Sequence, residues 1–306
     1  MKHPLTSRFA AALVLAASIS AENAAAQPSA LQWQPNWPRF SAVETGVTAL
    51  LTAQLLSAKL FYPDPNDNWD GGILFDDAVR AGLRSTTRAG RDRAATLSDV
   101  LYIALAAYPT LVDTILVADQ VHHQPDVALQ MFAMNMEAYA VAGAVGLTAM
   151  HVGRARPLKS GCNQDPNYSP KCGDQAQVNA SFISGHTTLA FTSAALMCAH
   201  HQYLPLYGGG PADLITCLAG VAAASTVGVS RVISDNHYAS DVLLGAGLGW
   251  FAGYVLPVLL HYRPHRETQP ASGILPKFAP RAIPVRAVLA PQLSPTGAGF
   301  IFAGSF

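Results

Sequence analysis

Three short clusters between residues 154 and 241 combine histidine, arginine, serine and aspartate at spacings that could support catalysis. His237 and Asp241 stand four apart, a separation that puts both on one face of a helix. A carboxylate there can accept a hydrogen bond from one imidazole nitrogen and leave the other unprotonated and pointing outward. A histidine nucleophile needs that arrangement. Ser184-Gly185-His186 precedes an apolar run, so Ser184 and free backbone N–H groups fall at a helix N-terminus, a natural anion site. Gly185 lets the backbone approach a ligand closely, and His186 beside the anion could protonate a departing oxygen. Arg156, held before Pro157, and Arg231, close to His237, carry guanidinium forks that match the oxygens of a phosphoryl group. Taken singly, a Ser-Gly-His cap or a His–Asp pair is common. Together the clusters point to an oxyanion gripped by arginines with an imidazole behind it.

Such side chains need a scaffold, and the chain supplies apolar helices. Half of its 306 residues are hydrophobic and 12% are charged, against about a quarter charged in an ordinary soluble domain. A very large core, contact with lipid, or both would explain so few charges. Net charge is zero, which offers nothing to nucleic acid. Ser41 and Glu44 form a capping box that opens a helix, ended by Pro63 and Pro65. Residues 62–72 read as a turn-rich loop, Phe75 to Leu83 as a short amphipathic helix, and 84–93 as a solvated Arg-rich connection. Thr96 and Asp99 suggest the cap of a helix reaching about Ala118, bent at Pro109, and Pro125 opens the next, to about Met150. After a polar loop over 158–180, helices are expected over Gly185 to His201, Ala212 to Val229 and Asn236 to Leu260. Val242 to Leu260 carries no charge and is the best membrane-span candidate. The short apolar stretches around Ser294-Pro295-Thr296-Gly297 read as a β-hairpin. The expected fold is all-α, a bundle of about six main helices with a C-terminal β-hairpin.

Lys2 and Arg8, the apolar run Phe9 to Ile19 and Ala24-Ala25-Ala26 have the form of an export signal over 1–26. Beyond it the reading divides the chain into an N-terminal helical extension (27–95), a core domain (96–265) and a tail (266–306). Export implies the cell envelope or periplasm and an oxidising compartment. A disulfide between Cys162 and Cys172 is therefore expected to close the polar loop. Cys198 and Cys217 lie in apolar helical runs and read as small buried hydrophobes.

Taken together, the clusters resemble the type 2 phosphatidic acid phosphatase and vanadium haloperoxidase superfamily, over about residues 96–260. Its signature runs Lys-x6-Arg-Pro, then Pro-Ser-Gly-His, then Ser-Arg-x5-His-x3-Asp. Arg156-Pro157, Ser184-Gly185-His186, and Ser230-Arg231 with His237 and Asp241 match it. Two positions depart: the lysine falls on Ala149 and the proline before Ser-Gly-His on Ile183. Arg154, just ahead of Arg156, is the candidate substitute for that lysine. The resemblance implies a helical acid-phosphatase-like core and hydrolysis of a phosphorylated small molecule or lipid, with possible membrane association. It further implies that His237 attacks phosphorus, that Asp241 orients it and that His186 protonates the leaving oxygen. Arg156, Arg231, Ser184 and the Gly185 N–H would hold the phosphoryl oxygens. No metal or other cofactor is implied, and vanadate would act as an inhibitor.

Two other functions fit the same residues: a vanadium-dependent haloperoxidase with vanadate on His237, and a non-catalytic envelope protein of the same fold. A metal site at His122-His123 or His200-His201 is disfavoured, because adjacent residues point different ways on a regular element. Asp64, Asp67, Asp70, Asp76 and Asp77 lack the spacing of a calcium loop and read as solvated loop carboxylates.

Overall fold

The computed structural model describes residues 31–61, 64–263, 286–294 and 297–305. The leader expected at 1–26 lies outside them. The main unit is helical: α1 (Ala42–Phe61), α2 (Asp76–Leu83), α3 (Arg88–Ala107), α4 (Pro125–Met150), the short α5 (Lys159–Cys162) and α6 (Gln175–Val178), α7 (Gly185–Tyr203), α8 (Pro211–Ile233), α9 (Ala239–Trp250) and α10 (Leu256–Leu260). A π-helical stretch, Tyr108–Val121, prolongs α3, and a second, Phe251–Val255, joins α9 to α10. In a separate unit, β1 (Arg286–Ser294) pairs antiparallel with β2 (Gly297–Ser305), Ser294 facing Gly297.

α1 starts as its capping box dictates: the Ser41 N–H donates to Glu44 Oε2 at 2.6 Å and the Glu44 N–H to Ser41 Oγ at 3.2 Å. α3 starts earlier than Thr96. Thr87 caps it, accepting from the Gly90 N–H at 3.1 Å. The stretch 84–93 is therefore not a solvated connection. Arg91 is buried over the Tyr168 ring, 3.7 Å from its centroid, and donates to the Tyr168 carbonyl. Arg88 donates to the Asn167 carbonyl. The first turns of α3 thereby clamp the loop that the expected Cys162–Cys172 disulfide closes.

α7 is the central helix, and its residues from Thr192 to His201 are all buried. On one side Ala190, Ala194 and Met197 pack with Leu105 of α3 and Ala224 and Val227 of α8. A second core gathers Met131 and Met134 of α4 with Leu204, Leu206, Trp33 and Tyr262. Cys198 and Cys217 are not separate buried thiols; they form a second disulfide, which ties α7 to α8. Facing helices put the two sulfurs in register, which residue-by-residue hydropathy does not reveal. On the other side α9 lies almost backbone to backbone on α7. A Cβ at Gly249 would run into the Thr188 carbonyl oxygen, and one at Gly253 into that of Thr192. This Gly245-xxx-Gly249-xxx-Gly253 stripe brings the start of α9 to the start of α7, where the Ser184 N–H donates to the Asp241 carbonyl at 3.2 Å.

Three helical stretches among the described residues are long and apolar enough to cross a membrane: Arg88–Val121, Pro211–Ile233 and Ala239–Leu260. Their outer faces carry exposed Val100, Ile103, Leu111, Leu214, Ile215, Leu218, Leu243 and Phe251.

Candidate active site

The N-terminus of α7, the loop before α9 and the loop after α4 meet at one place. His237 sits in the 234–238 loop rather than on α9, because α8 runs on to Ile233 and α9 starts only at Ala239. That displacement cancels the helical geometry expected of the His237–Asp241 pair. Asp241, in the first turn of α9, reaches back instead: its Oδ2 accepts from the Tyr238 N–H at 3.0 Å and from Ser181 Oγ at 2.7 Å. It makes no hydrogen bond to the imidazole. His237 Nδ1 lies 2.7 Å from the backbone carbonyl of Ser181. A carbonyl only accepts, so Nδ1 carries the proton and Nε2 keeps its lone pair. Asp241 thus acts on His237 through Ser181, whose hydroxyl it holds and whose carbonyl fixes the ring.

Arg156 Nη1 stands 3.2 Å from His237 Nε2 and also donates to the Asn236 carbonyl at 3.1 Å, while its Nε donates to the Gln177 carbonyl at 2.6 Å. Arg231, buried at the end of α8, donates to Ser98 Oγ at 3.0 Å and to Asp99 Oδ1 at 3.3 Å. Its Nε is buried without a hydrogen-bond partner among the described residues. His186 Nε2 is 2.9 Å from the same Asp99 oxygen, and its ring meets Tyr102 edge-on at 4.4 Å. Burial and then the Arg156 and Arg231 charges hold His237 well below its ordinary pKa. The ring is therefore neutral at physiological pH, the form a nucleophile needs. Burial and then Arg231, Lys171 and Arg156 push His186 down to about 3. Burial, then Arg231, pushes Arg156 down to about 9. Each shift has the same sign: positive charge is crowded here, opposed by Asp241 at Arg156 and by Asp99 at Arg231.

The structure thus gathers His237, His186, Arg156 and Arg231. Gly185 is exposed beside them, with open space where a Cβ would stand. Ser184 is fully buried, and its hydroxyl bonds Thr187 Oγ1 at 2.9 Å rather than facing the arginines. Arg154 does not join them. It is fully buried between Trp69 and Tyr238, and all its donors are taken. Nη1 donates to Asp241 Oδ1 at 2.6 Å and Ser240 Oγ at 2.8 Å, Nη2 to Asp76 Oδ2 at 2.7 Å, and Nε and Nη2 to the Gly71 carbonyl. With no N–H left for a phosphate, Arg154 is no substitute for a lysine at 149; it is the buried partner of two carboxylates.

Several residues of the site were not legible as such. Asp99, Ser98 and Tyr102 face it from α3, and their spacing was compatible with that face, although Asp99 read as a helix cap. Asp76 is no solvated loop carboxylate. It is fully buried, receiving Arg154 and both the N–H and the hydroxyl of Ser240. Hydrogen bonds to its carboxylate outweigh burial and keep its pKa low. Arg80 of α2 grips Asp235, at 2.7 Å and 2.8 Å, in the turn just before His237. Lys171 Nζ reaches Asn236 Oδ1 at 2.5 Å. His200 and His201 are buried and hydrogen-bonded to Tyr262, Asn135 and Asp213. Among the described residues no group of three or more His, Cys, Asp or Glu side chains could hold a metal ion. A cavity of about 400 Å³ lined by His201, Asp213 and Cys217 lies at the far end of α7 from His186.

The model of the PAP2 superfamily matches residues 127–265, a span that contains the Arg156, His186, Arg231 and His237 cluster. Over that stretch the chain is similar to the PAP2 superfamily. Among curated proteins, the lipid A 1-phosphatase of Rhizobium etli is 31% identical over 148 residues, 48% of this chain and 53% of that protein. The lipid A 1-phosphatase of Porphyromonas gingivalis is 40% identical over 73 residues, 24% of this chain and 15% of that protein. The chain thus spans about half the length of the first relative and a smaller part of the second. No solved structure matches. Within the PAP2 match, Arg154 and Asp241 form the buried layer beneath the cluster, while Asp99 and Tyr102 lie outside the matched span on α3.

Proposed function

We propose that this protein hydrolyses a lipid-linked phosphate through a covalent phosphohistidine on His237. The observation that carries the reading is the His237 ring: Nδ1 protonated against the Ser181 carbonyl, Nε2 bare and set 3.2 Å from Arg156. Nε2 forms a bond to phosphorus as the bond to the leaving oxygen breaks, and His186 gives that oxygen a proton. His186 is kept neutral by burial and then by surrounding cations, and a bound phosphate dianion cancels those cations, so its pKa rises as the substrate settles. It then takes a proton from water, whose oxygen displaces His237 from phosphorus. Arg156, Arg231 and the first-turn N–H groups of α7 meet the equatorial oxygens, a role otherwise often filled by a metal. The reaction therefore needs none, and orthovanadate acts as an inhibitor.

Lipid is favoured over small soluble esters by three helical stretches with apolar outer faces and by the similarity to two lipid A 1-phosphatases. On this reading the chain acts in the cell envelope, exported by its leader. Purified protein should release phosphate from a lipid phosphate in micelles without added metal, and His237→Ala should lose all turnover at an unchanged melting temperature. Wild-type turnover in that variant would remove the nucleophile.

A further inference from the structure

The cations around Nε2 are more numerous than the arginines. Lys171 belongs to the loop closed by Cys162–Cys172, one residue from the bridge. That loop is further pinned by Arg88 on the Asn167 carbonyl and by Arg91 on the Tyr168 ring and carbonyl. The residue is half-buried, and among the described residues the one hydrogen bond of its ammonium goes to a neutral acceptor, Asn236 Oδ1. Arg156 Nη1 lies 3.4 Å from the same oxygen, so one amide oxygen serves two cations next to His237. No ion pair joins Lys171 to a carboxylate among the described residues. An ammonium has three donors, and an ion placed out of water beside like charges is costly unless something compensates it. Arg231, buried with Nε unpartnered among the described residues, adds a second unmet donor to the same cluster. The position where the superfamily signature has a lysine is Ala149, at the end of α4, which brings no charge.

We infer that Lys171 is the third phosphate-binding cation of this site, presented by the disulfide-closed loop rather than by α4. Its depressed pKa, pushed down to about 7 by burial and then by Arg156 and Arg231, fits an ammonium built to meet an anion. The inference rests on the anion site proposed above and deepens it.

The full-length wild type tests it directly. Acetic anhydride at neutral pH should acetylate Lys171 readily, and saturating inorganic phosphate should protect it, as read by peptide mass spectrometry. Lys171→Met should weaken inhibition by inorganic phosphate about tenfold to a hundredfold, the scale of one charged hydrogen bond, while Lys171→Arg stays within about threefold. Full acetylation in the presence of phosphate would overturn the inference, as would unchanged inhibition of Lys171→Met. If phosphate protects Lys171 but the wild type hydrolyses nothing, the inference stands and the phosphatase reading falls. Wild type that binds no phosphate at all ends both.

Discussion

Arg154→Leu offers a sharp separation of architecture from chemistry. The side chain is fully buried, as are both carboxylates it joins: Asp76 Oδ2 at 2.7 Å and Asp241 Oδ1 at 2.6 Å. Removing it leaves two buried carboxylates facing each other without a cation. Breaking a buried pair in this way costs about 3–5 kcal/mol, and two partners sharing one guanidinium place the cost at the upper end. At roughly 2–4 °C per kcal/mol for a domain of this size, the melting temperature should fall by about 10–20 °C. The measurement is thermal unfolding of the purified protein alongside inhibition by inorganic phosphate. Because every N–H of Arg154 is committed within the protein, folded variant should keep its phosphate inhibition constant within about threefold, less than one charged hydrogen bond. Arg154→Lys should recover little, since an ammonium cannot bridge two carboxylates and the Gly71 carbonyl as a planar fork does. A variant that melts like wild type yet binds phosphate about tenfold or more weakly would refute the reasoning, because that pattern belongs to a residue touching the anion.

Three further outcomes follow from particular contacts. Lys171, with its pKa near 7, faces Arg156, Arg231, His186 and Asp99, and loses its charge as pH rises through that value. The ratio of phosphate inhibition constants between Lys171→Met and wild type should therefore shrink from about pH 6 to about pH 9; a ratio constant across the range would contradict it. Gly249→Ala pushes a methyl into the Thr188 carbonyl and the Thr192 N–H, which should cost about 1–3 kcal/mol in thermal unfolding, whereas Gly247→Ala, with nothing within reach, should not. Replacing Cys198 and Cys217 together by alanine should destabilise the helical unit by about 3 kcal/mol, the loop-closure scale for their separation, with phosphate inhibition retained.

The motif spacing alone determined a good deal. Ser-Arg-x5-His, Ser-Gly-His and Arg-Pro each brought a residue to one cluster, the first two from the ends of the apolar helices α8 and α7 and the third from the loop after α4. The Cys162–Cys172 bridge was legible for a similar reason: two cysteines in one short polar loop have few other partners. What the chain's order could not reveal was who touches whom across helices. His237 and Asp241 looked like a pair on one helix. Two turn residues that break the helix, Asp235 at φ 60° among them, hand the imidazole to Ser181 and the carboxylate to Arg154. Arg154 read as a free cation until Asp76, far away in sequence, arrived on α2 to occupy it. Lys171 lay unremarked in the polar loop over 158–180 until the disulfide and the α3 arginines folded it onto Asn236. Local spacing fixes which residues can face the same way. Only packing, through glycine-mediated contact of α9 with α7 and burial of ion pairs between distant segments, decides which charges are already satisfied and which remain to bind a ligand.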